Sequence, residues 1–384
     1  MEEPGDRAIT ATVDGNRLWL VESGDERLRL ILELIGSANT SIRLLFYMFN
    51  SDAAGTEVRD ALLDAAARGV EVTILLDGFG CADTAPDFFE AIDAAGGKLC
   101  RFHPRYGRRY LLRNHQKLVV VDDQRAIIGG ANINQEYLTD EGDGHWRDLW
   151  LRIEGPTVAC ASQYFDMLYR WTITKRARLK DLRRLLLRFS QTEGALQWKF
   201  SGPFMRRNPW PTTIAREIVT GRRFDLISAY FSPPWAMLRR IRRLHSNARI
   251  LTAARSDNNA TIAAARHTYA RLLRRGVQTY EYRAAKLHTK LAIVDDAVHI
   301  GSSNFDFRSL YLNLEVMLRI EDADFAAAMR GYFERELTGS ERITPQLHKQ
   351  RGNVLRRLKW ALSYFLVTSM DYTVTRRLNF RQEA

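Results

Sequence analysis

One ten-residue pattern occurs twice, and a chain that carries so unusual a strand in duplicate is constrained to build two similar lobes. "NHQKLVVVDD" spans 114–123 and "LHTKLAIVDD" spans 287–296. His115 and His288 are 173 residues apart, as are Lys117 and Lys290, and Asp122 and Asp295. Period-two alternation puts each histidine and its lysine on one face of a strand. A lone copy reads equally well as a strand with surface charge. Two copies, each ending in Gly-x-x-Asn, do not arise by coincidence.

The flanking sequence repeats in the same order. "SIRLLFYMF" (41–49) matches "RFDLISAYF" (223–231), and "GVEVTILLDG" (69–78) matches "NARILTAARS" (247–256). "AIDAAGGKLCRF" (91–102) and "YARLLRRGVQTYEY" (269–282) each read as a helix turning at glycine into a strand. Strands alternating with helices predict an α/β/α sandwich for each half, the two halves packed about a pseudo-twofold axis with the histidines at their interface. The expected organisation is a first lobe at 1–175, a basic linker or amphipathic helix at 176–200, a second lobe at 201–340 and a basic amphipathic segment at 341–384. Each aspartate pair precedes another apolar run, "RAIIGGAN" (125–132) and "AVHIGSSN" (297–304). A reversal around Asp123–Gln124 sets His115 opposite Asn132 and Lys117 opposite Gly130. A reversal around Asp296, one residue shorter, sets His288 opposite Asn304 and Lys290 opposite Ser302.

Two histidines, two lysines and two asparagines on one surface suit a phosphodiester. One neutral imidazole attacks phosphorus to give a phosphohistidine; the other protonates the departing oxygen and then deprotonates the second nucleophile. Two permanent ammoniums and two amides neutralise and position the nonbridging oxygens, so the chemistry needs no metal or other cofactor. On this reading the lysine is no partner of its histidine; both face the phosphate. Each imidazole needs an acceptor at its second nitrogen. Asp148 in "GHWRDLWLRIEGP" and Glu315 in "LNLEVMLRI" follow the motifs and supply candidates. Asp122 and Asp295 belong to the catalytic motif, but an odd spacing of seven from their histidines turns them away, which predicts a structural role in the turn. His103, His145, His245, His267, His299 and His348 lack any such pairing and are expected to be structural or superficial.

The two stretches "HQKLVVVDDQRAIIGGAN" and "HTKLAIVDDAVHIGSSN" resemble the doubled signature of the phospholipase D superfamily, over roughly Asp14 to Glu336. "RDLWLRIEGP", "GVQTYEYRAAKLHTK" and "GSSNFDFRSLYLNLE" are most similar to bacterial cardiolipin synthases, in a short form without N-terminal transmembrane helices. The resemblance implies transfer of a phosphatidyl group from phosphatidylglycerol to a second phosphatidylglycerol, with release of glycerol. It implies His115 as nucleophile and His288 as acid and base, roles that the near-symmetry allows to be exchanged. Lys117, Lys290, Asn132, Asn304 and Ser302 would bind phosphate, and Asp148 and Glu315 would orient the imidazoles. Gly130 stands where the resemblance calls for a serine, which removes one expected hydroxyl contact.

The net charge of +12 suits a polyanionic partner: anionic phospholipids at a membrane surface, or nucleic acid. Only nine of the 57 basic residues are lysine, so part of this excess can reflect genome composition. Three isolated cysteines and an acidic start without an apolar run predict a cytoplasmic location, peripheral on the inner membrane face. Two stretches have the composition of interfacial helices. One is 174–189, with Leu179, Leu182, Leu186 and Phe189 on one face; the other is 354–370, with Leu355, Leu358, Leu362, Phe365 and Leu366 in a stripe. Packing onto the core is the competing reading for both. Residues 101–117 add six cations other than histidine leading into the site. Two rival functions remain: a phospholipase D or nuclease that gives the intermediate to water, and a binding protein without catalysis. Intact His, Lys and Asn in both copies argue against the second.

Overall fold

The computed structural model describes residues 8–369 except 86, 104–111, 143 and 205. Two eight-stranded mixed sheets carry the fold. In the first, the strands run in the order Thr10–Val13, Asn16–Val21, Trp150–Glu154, Arg125–Gly129, Leu118–Val121, Ser41–Phe46, Glu71–Asp77, Lys98–Phe102. In the second the order is Leu196–Ser201, Glu315–Glu321, Ala297–Gly301, Lys290–Val294, Phe224–Ser228, Ala248–Ala253, Gln278–Tyr282, Ser340–Ile343. Apart from an N-terminal hairpin strand in one and the edge strand 340–343 in the other, the two orders correspond. The expected two-lobed α/β architecture is what the chain adopts.

The repeated motif explains how the lobes stack. Leu118–Val121 is buried throughout. Leu118 and Val120 point into a core shared by both lobes, whereas Val119 and Val121 point into an outer core of the first lobe alone. In the second lobe Leu291 and Ile293 join the shared core, while Ala292 and Val294 face that lobe's own outer core. A strand buried on both faces must be apolar at every position, and the alternation assigns each residue to one layer. Ile128 and Leu151 meet Val298, Leu318 and Ile320 in the shared core, so the two sheets pack as one body.

The hairpins differ from the expected register by one residue. Leu118 pairs with Ile128 and Val121 with Arg125; Leu291 pairs with Ile300 and Val294 with Ala297. The pairing thus centres on Asp123 in one lobe and between Asp295 and Asp296 in the other. Aspartate tolerates the left-handed region, and Asp122, Asp123 and Asp295 all occupy it, at φ of 53°, 58° and 47°. The ladders end at Leu118 and Leu291, before the histidines, so His115 and Asn132 are not a cross-strand pair.

The apolar stripe of segment 174–189 packs on the core rather than facing a membrane. Its helix, Leu179–Phe189, buries Leu182, Leu186 and Phe189 in the shared core. The C-terminal helix Val354–Ser369 behaves differently. It docks on helix Asn259–Leu273 through Tyr364 and Val367, and Tyr364 donates a 2.8 Å hydrogen bond to the Pro233 carbonyl. Val354, Leu355, Leu358, Leu362 and Phe365 stay between 55% and 83% exposed. Leu366, placed in that stripe by its spacing, is half-buried, and Met370 lies outside the described residues.

Candidate active site

The lobes exchange the segments that carry the histidines. His115 donates its backbone N–H to the Leu314 carbonyl at 2.9 Å, and Leu314 donates to the Arg113 carbonyl at 2.8 Å. In the other half His288 donates to the Arg147 carbonyl at 2.8 Å, within a short parallel pairing of Lys286–Leu287 with Trp146–Arg147. Each histidine is therefore laid beside the strand of the opposite lobe just before that strand's carboxylate. The side chains of Gln116 and Thr289, the middle residues of each His-x-Lys, add bonds to the Glu315 and Arg147 carbonyls.

The consequence is a crossed pairing. His115 Nδ1 lies 3.1 Å from Glu315 Oε2, and His288 Nδ1 lies 2.6 Å from Asp148 Oδ2. Sequence reading found both carboxylates but not the exchange, because strand periodicity says which face a residue takes and nothing about which lobe it meets. Burial, with Lys117 and Lys290 nearby, holds the His115 imidazole well below its ordinary value. Burial and Lys290 bring His288 down to about 3, so both rings are neutral on their own. Burial alone would raise the Asp148 carboxyl, but Lys290 and His288 hold it below the ordinary range. Glu315 goes the other way: burial pushes it up to about 8 despite Lys117.

The lysines depart from the expectation in two respects. Lys117 Nζ donates to the His115 carbonyl at 2.8 Å, and Lys290 Nζ donates to the His288 carbonyl while lying 2.6 Å from His288 Nδ1. Each lysine is thus tied to its own histidine's backbone, with donors to spare, because an ammonium has three. They are also not permanently charged. Burial lowers Lys117 to about 7 and Lys290 to about 8, since a dry site disfavours the ammonium.

Asn132 and Asn304 are buried, and their side-chain carbonyl oxygens have no hydrogen-bond partner among the described residues. Ser302, expected to bind phosphate, is engaged instead with the Glu315 carboxyl. Its hydroxyl donates to Glu315 Oε2 at 2.5 Å and accepts from Val316 N at 3.0 Å, which makes it a holder of the carboxylate. At Gly130, the matching position, a Cβ would lie 2.5 Å from Asp148 Oδ1 and 2.8 Å from Lys290 Cδ, so no side chain fits there. Asp122 and Asp295 sit at the far end of the hairpins. Asp122 accepts from the backbone N–H groups of Asn39, Thr40 and Ser41 and pairs with Arg125 at 2.8 Å. Burial opposes its ionisation, but those donors hold its carboxyl well below the usual range. Among the described residues, the Asp295 carboxylate accepts from the N–H groups of Arg222 and Arg223 alone.

Several supporting residues escaped sequence reading. Asp77, fully buried, accepts from Asn114 N at 2.7 Å and from Phe79 N and Gly80 N, fixing the chain beside His115. The buried Arg27 guanidinium donates to the Tyr137 and Asp148 carbonyls, holding the loop that presents Asp148. Tyr47 lies against the His115 ring at 5.1 Å; Tyr137 and Trp146 flank His288 at 4.9 and 5.3 Å. A tyrosine shortly after the first strand of each repeat, Tyr47 and Tyr230, was the one available signal. Of the other histidines, His299 accepts from Trp210 Nε1 and pairs with Glu217, and His348 stacks on Trp360, both outside this cluster. In 101–117, the arginines at 105, 108 and 109 lie outside the described residues; Arg113 packs over the Phe79 ring.

Comparison with known proteins agrees with this construction. The family described as "Cardiolipin synthase, PLD-like domain" matches residues 31–168 and 216–337, one segment per lobe. Cardiolipin synthase B of Salmonella typhimurium is 32% identical over 336 residues, covering 83% of this chain and 79% of that protein. Cardiolipin synthase A of Pseudomonas aeruginosa is 30% identical, covering 88% of this chain and 70% of that protein. The crystal structure of a phosphatidylserine synthase from Haemophilus influenzae superposes with a TM-score of 0.69 at 16% identity, over 94% of both chains, which is a likeness of fold. A duplicated His-x-Lys hairpin, two matching lobes and these relatives converge on one conclusion: the chain belongs to the cardiolipin synthase, PLD-like domain family.

Proposed function

We propose that the protein is a phosphatidyltransferase of the cardiolipin synthase type, acting from the membrane surface through a covalent phosphohistidine. The crossed histidine–carboxylate pairs carry this reading, because they supply two independently oriented imidazoles in one buried cluster with two lysines. His115 Nε2 attacks the phosphorus of phosphatidylglycerol, the bond to glycerol breaks, and His288 protonates the departing alkoxide. His288, now neutral, takes the proton of a hydroxyl on a second phosphatidylglycerol. That oxygen attacks phosphorus and displaces His115, giving cardiolipin. The short bond from His288 to an ionised Asp148 favours an imidazolium there, which supports the acid–base role; the longer contact of His115 to a carboxyl raised to about 8 suits the nucleophile. Neutral His288 needs a proton before it can act. The anionic phosphate offsets the lysine charges and raises the ring's proton affinity, so substrate binding brings the proton in. Lys117 and Lys290 then hold the nonbridging oxygens, with the Asn132 and Asn304 amides beside them.

The C-terminal helix supports a peripheral location. Among the described residues no helix is long and apolar enough to cross a membrane. An exposed stripe of leucines and Phe365, next to Arg356 and Lys359, fits the interface of an anionic bilayer. Its other face bonds the Pro233 carbonyl through Tyr364, three residues from Tyr230, whose ring is 6.3 Å from His288. The cytoplasmic face is the assignment consistent with three unpaired cysteines. The test is product analysis: the chain with phosphatidylglycerol vesicles and EDTA, followed by mass spectrometry. Cardiolipin and glycerol in equal amounts, absent with His115→Ala and His288→Ala, is the expected result. Phosphatidic acid in place of cardiolipin would make the protein a hydrolase.

A further inference from the structure

Helix Val158–Ile173 and helix Leu179–Phe189 do not close against each other completely. Between them lies a cavity of about 690 Å³, within the roughly 300–1,000 Å³ of small-molecule sites. Met167, Trp171, Leu185 and Phe189 give it an apolar wall, and five arginines and one aspartate surround it. The charges are far from balanced. Arg178 and Arg184 both lean on Asp181, at 2.8 and 3.7 Å. Arg170, Arg176 and Arg188 have no carboxylate within ion-pair distance among the described residues. An apolar slot ringed by uncompensated guanidiniums matches one ligand chemistry: an acyl chain joined to an anionic headgroup.

The place of the cavity strengthens that match. Strand Lys98–Phe102 runs parallel to Glu71–Asp77, whose last residue anchors Asn114 beside His115. Phe102 therefore marks the end of the sheet where the histidine emerges, and Trp171 stacks on it at 6.0 Å. One turn before Met167, Tyr164 bonds the Gln116 side chain at 2.7 Å. Trp171, in the cavity wall, thus sits at the end of the sheet that carries the catalytic cluster, and the cavity shares no residue with that cluster. The loop after the first helix is pinned there by the bond from Trp171 Nε1 to the Arg178 carbonyl, 3.1 Å, which holds the arginine rim in place.

We propose that this cavity is a second, noncatalytic site for a single anionic phospholipid, which seats the first lobe on the bilayer as the C-terminal helix seats the second. The phospholipid class draws on the proposed function; the site itself rests on the cavity and its arginines.

Phosphatidylglycerol carrying a diazirine in one acyl chain, presented in vesicles to the full chain, tests it by peptide mapping after photolysis. Label is expected on the peptides spanning 167–171 and 185–189. It should fall at least fivefold with a phosphatidylcholine probe, and equally in Arg170→Glu/Arg188→Glu, whose thermal melt checks folding. Arg274→Glu/Arg275→Glu, an equal charge change on the second lobe, should leave it unaltered. Arg170→Gln/Arg188→Gln serves if the reversals unfold. No label at these peptides, or label indifferent to headgroup charge and to the arginines, overturns the proposal. Because binding is read rather than turnover, loss of cardiolipin formation with labelling intact would sink the proposed activity and leave this site standing.

Discussion

The two halves of the candidate catalytic cluster solve one geometric problem in different ways. In the first lobe a short acid, Asp148, stands against a residue with no side chain, Gly130. In the second a longer acid, Glu315, is held by the hydroxyl of Ser302 at the matching position. Either way a carboxylate reaches the opposite lobe's histidine, but the electrostatics part company. Asp148 is ionised and 2.6 Å from His288, whereas Glu315 is raised to about 8 and 3.1 Å from His115. Duplication supplied two equal stations; one glycine and one methylene made them unequal, which is what the proposed reaction, with one nucleophile and one acid, requires.

The most damaging way to probe that inequality is to remove the imidazoles. His115→Ala and His288→Ala should each lower turnover by on the order of 10³-fold or more, because the two act as one unit. Gly130→Ser comes next. Its Cβ would meet Asp148 and Lys290 at under 3 Å, and the displaced acid should cost about 10²-fold in kcat. The reciprocal Ser302→Gly loosens Glu315 without a clash and should cost about tenfold. Equal losses would show that the two stations are equivalent after all.

The turn aspartates extend the contrast to stability. Asp122→Asn gives up a charge bound by three backbone N–H groups and Arg125 and should destabilise by about 2–3 kcal/mol in denaturant titration. Asp295→Asn, with two such donors, should cost about 1 kcal/mol. Folded fractions should keep their specific activity in both. The Asp122 carboxyl is held below its unfolded value of about 3.9, so its stabilisation is complete above that pH and is lost as pH falls toward the folded value. The gap between the native chain and Asp122→Asn should therefore close in acid. The mildest effect is on affinity. Lys117 and Lys290, lowered to about 7 and 8, lose protons as pH rises, so kcat/KM should decline severalfold between about pH 7 and 9. Calorimetry in buffers of different ionisation enthalpy should show proton uptake on binding.

Much of this was visible before any fold was known. The duplicated hairpin, the two lobes, the residues of the cluster and both carboxylates follow from spacing and alternation. The exchange between lobes does not, because it depends on which strand the His115 and His288 backbones join, a contact between residues 140 to 200 positions apart. The register slipped by one because aspartates in left-handed conformation add no signal to the hydrophobic pattern. Helix Leu179–Phe189 and helix Val354–Ser369 have similar composition, and only tertiary packing decides that the first buries its stripe and the second leaves it open.

In the proposed mechanism one histidine of the two carries the phosphatidyl group. The direct test is to mix the chain with phosphatidylglycerol, quench in alkali to preserve the phosphoramidate, and map the adduct by peptide mass spectrometry. An added phosphatidyl mass on the peptide containing His115, with none on the peptide containing His288, is the predicted result. An adduct on His288 would reverse the roles of the two halves, and cardiolipin formed with no adduct on either histidine would contradict the covalent mechanism.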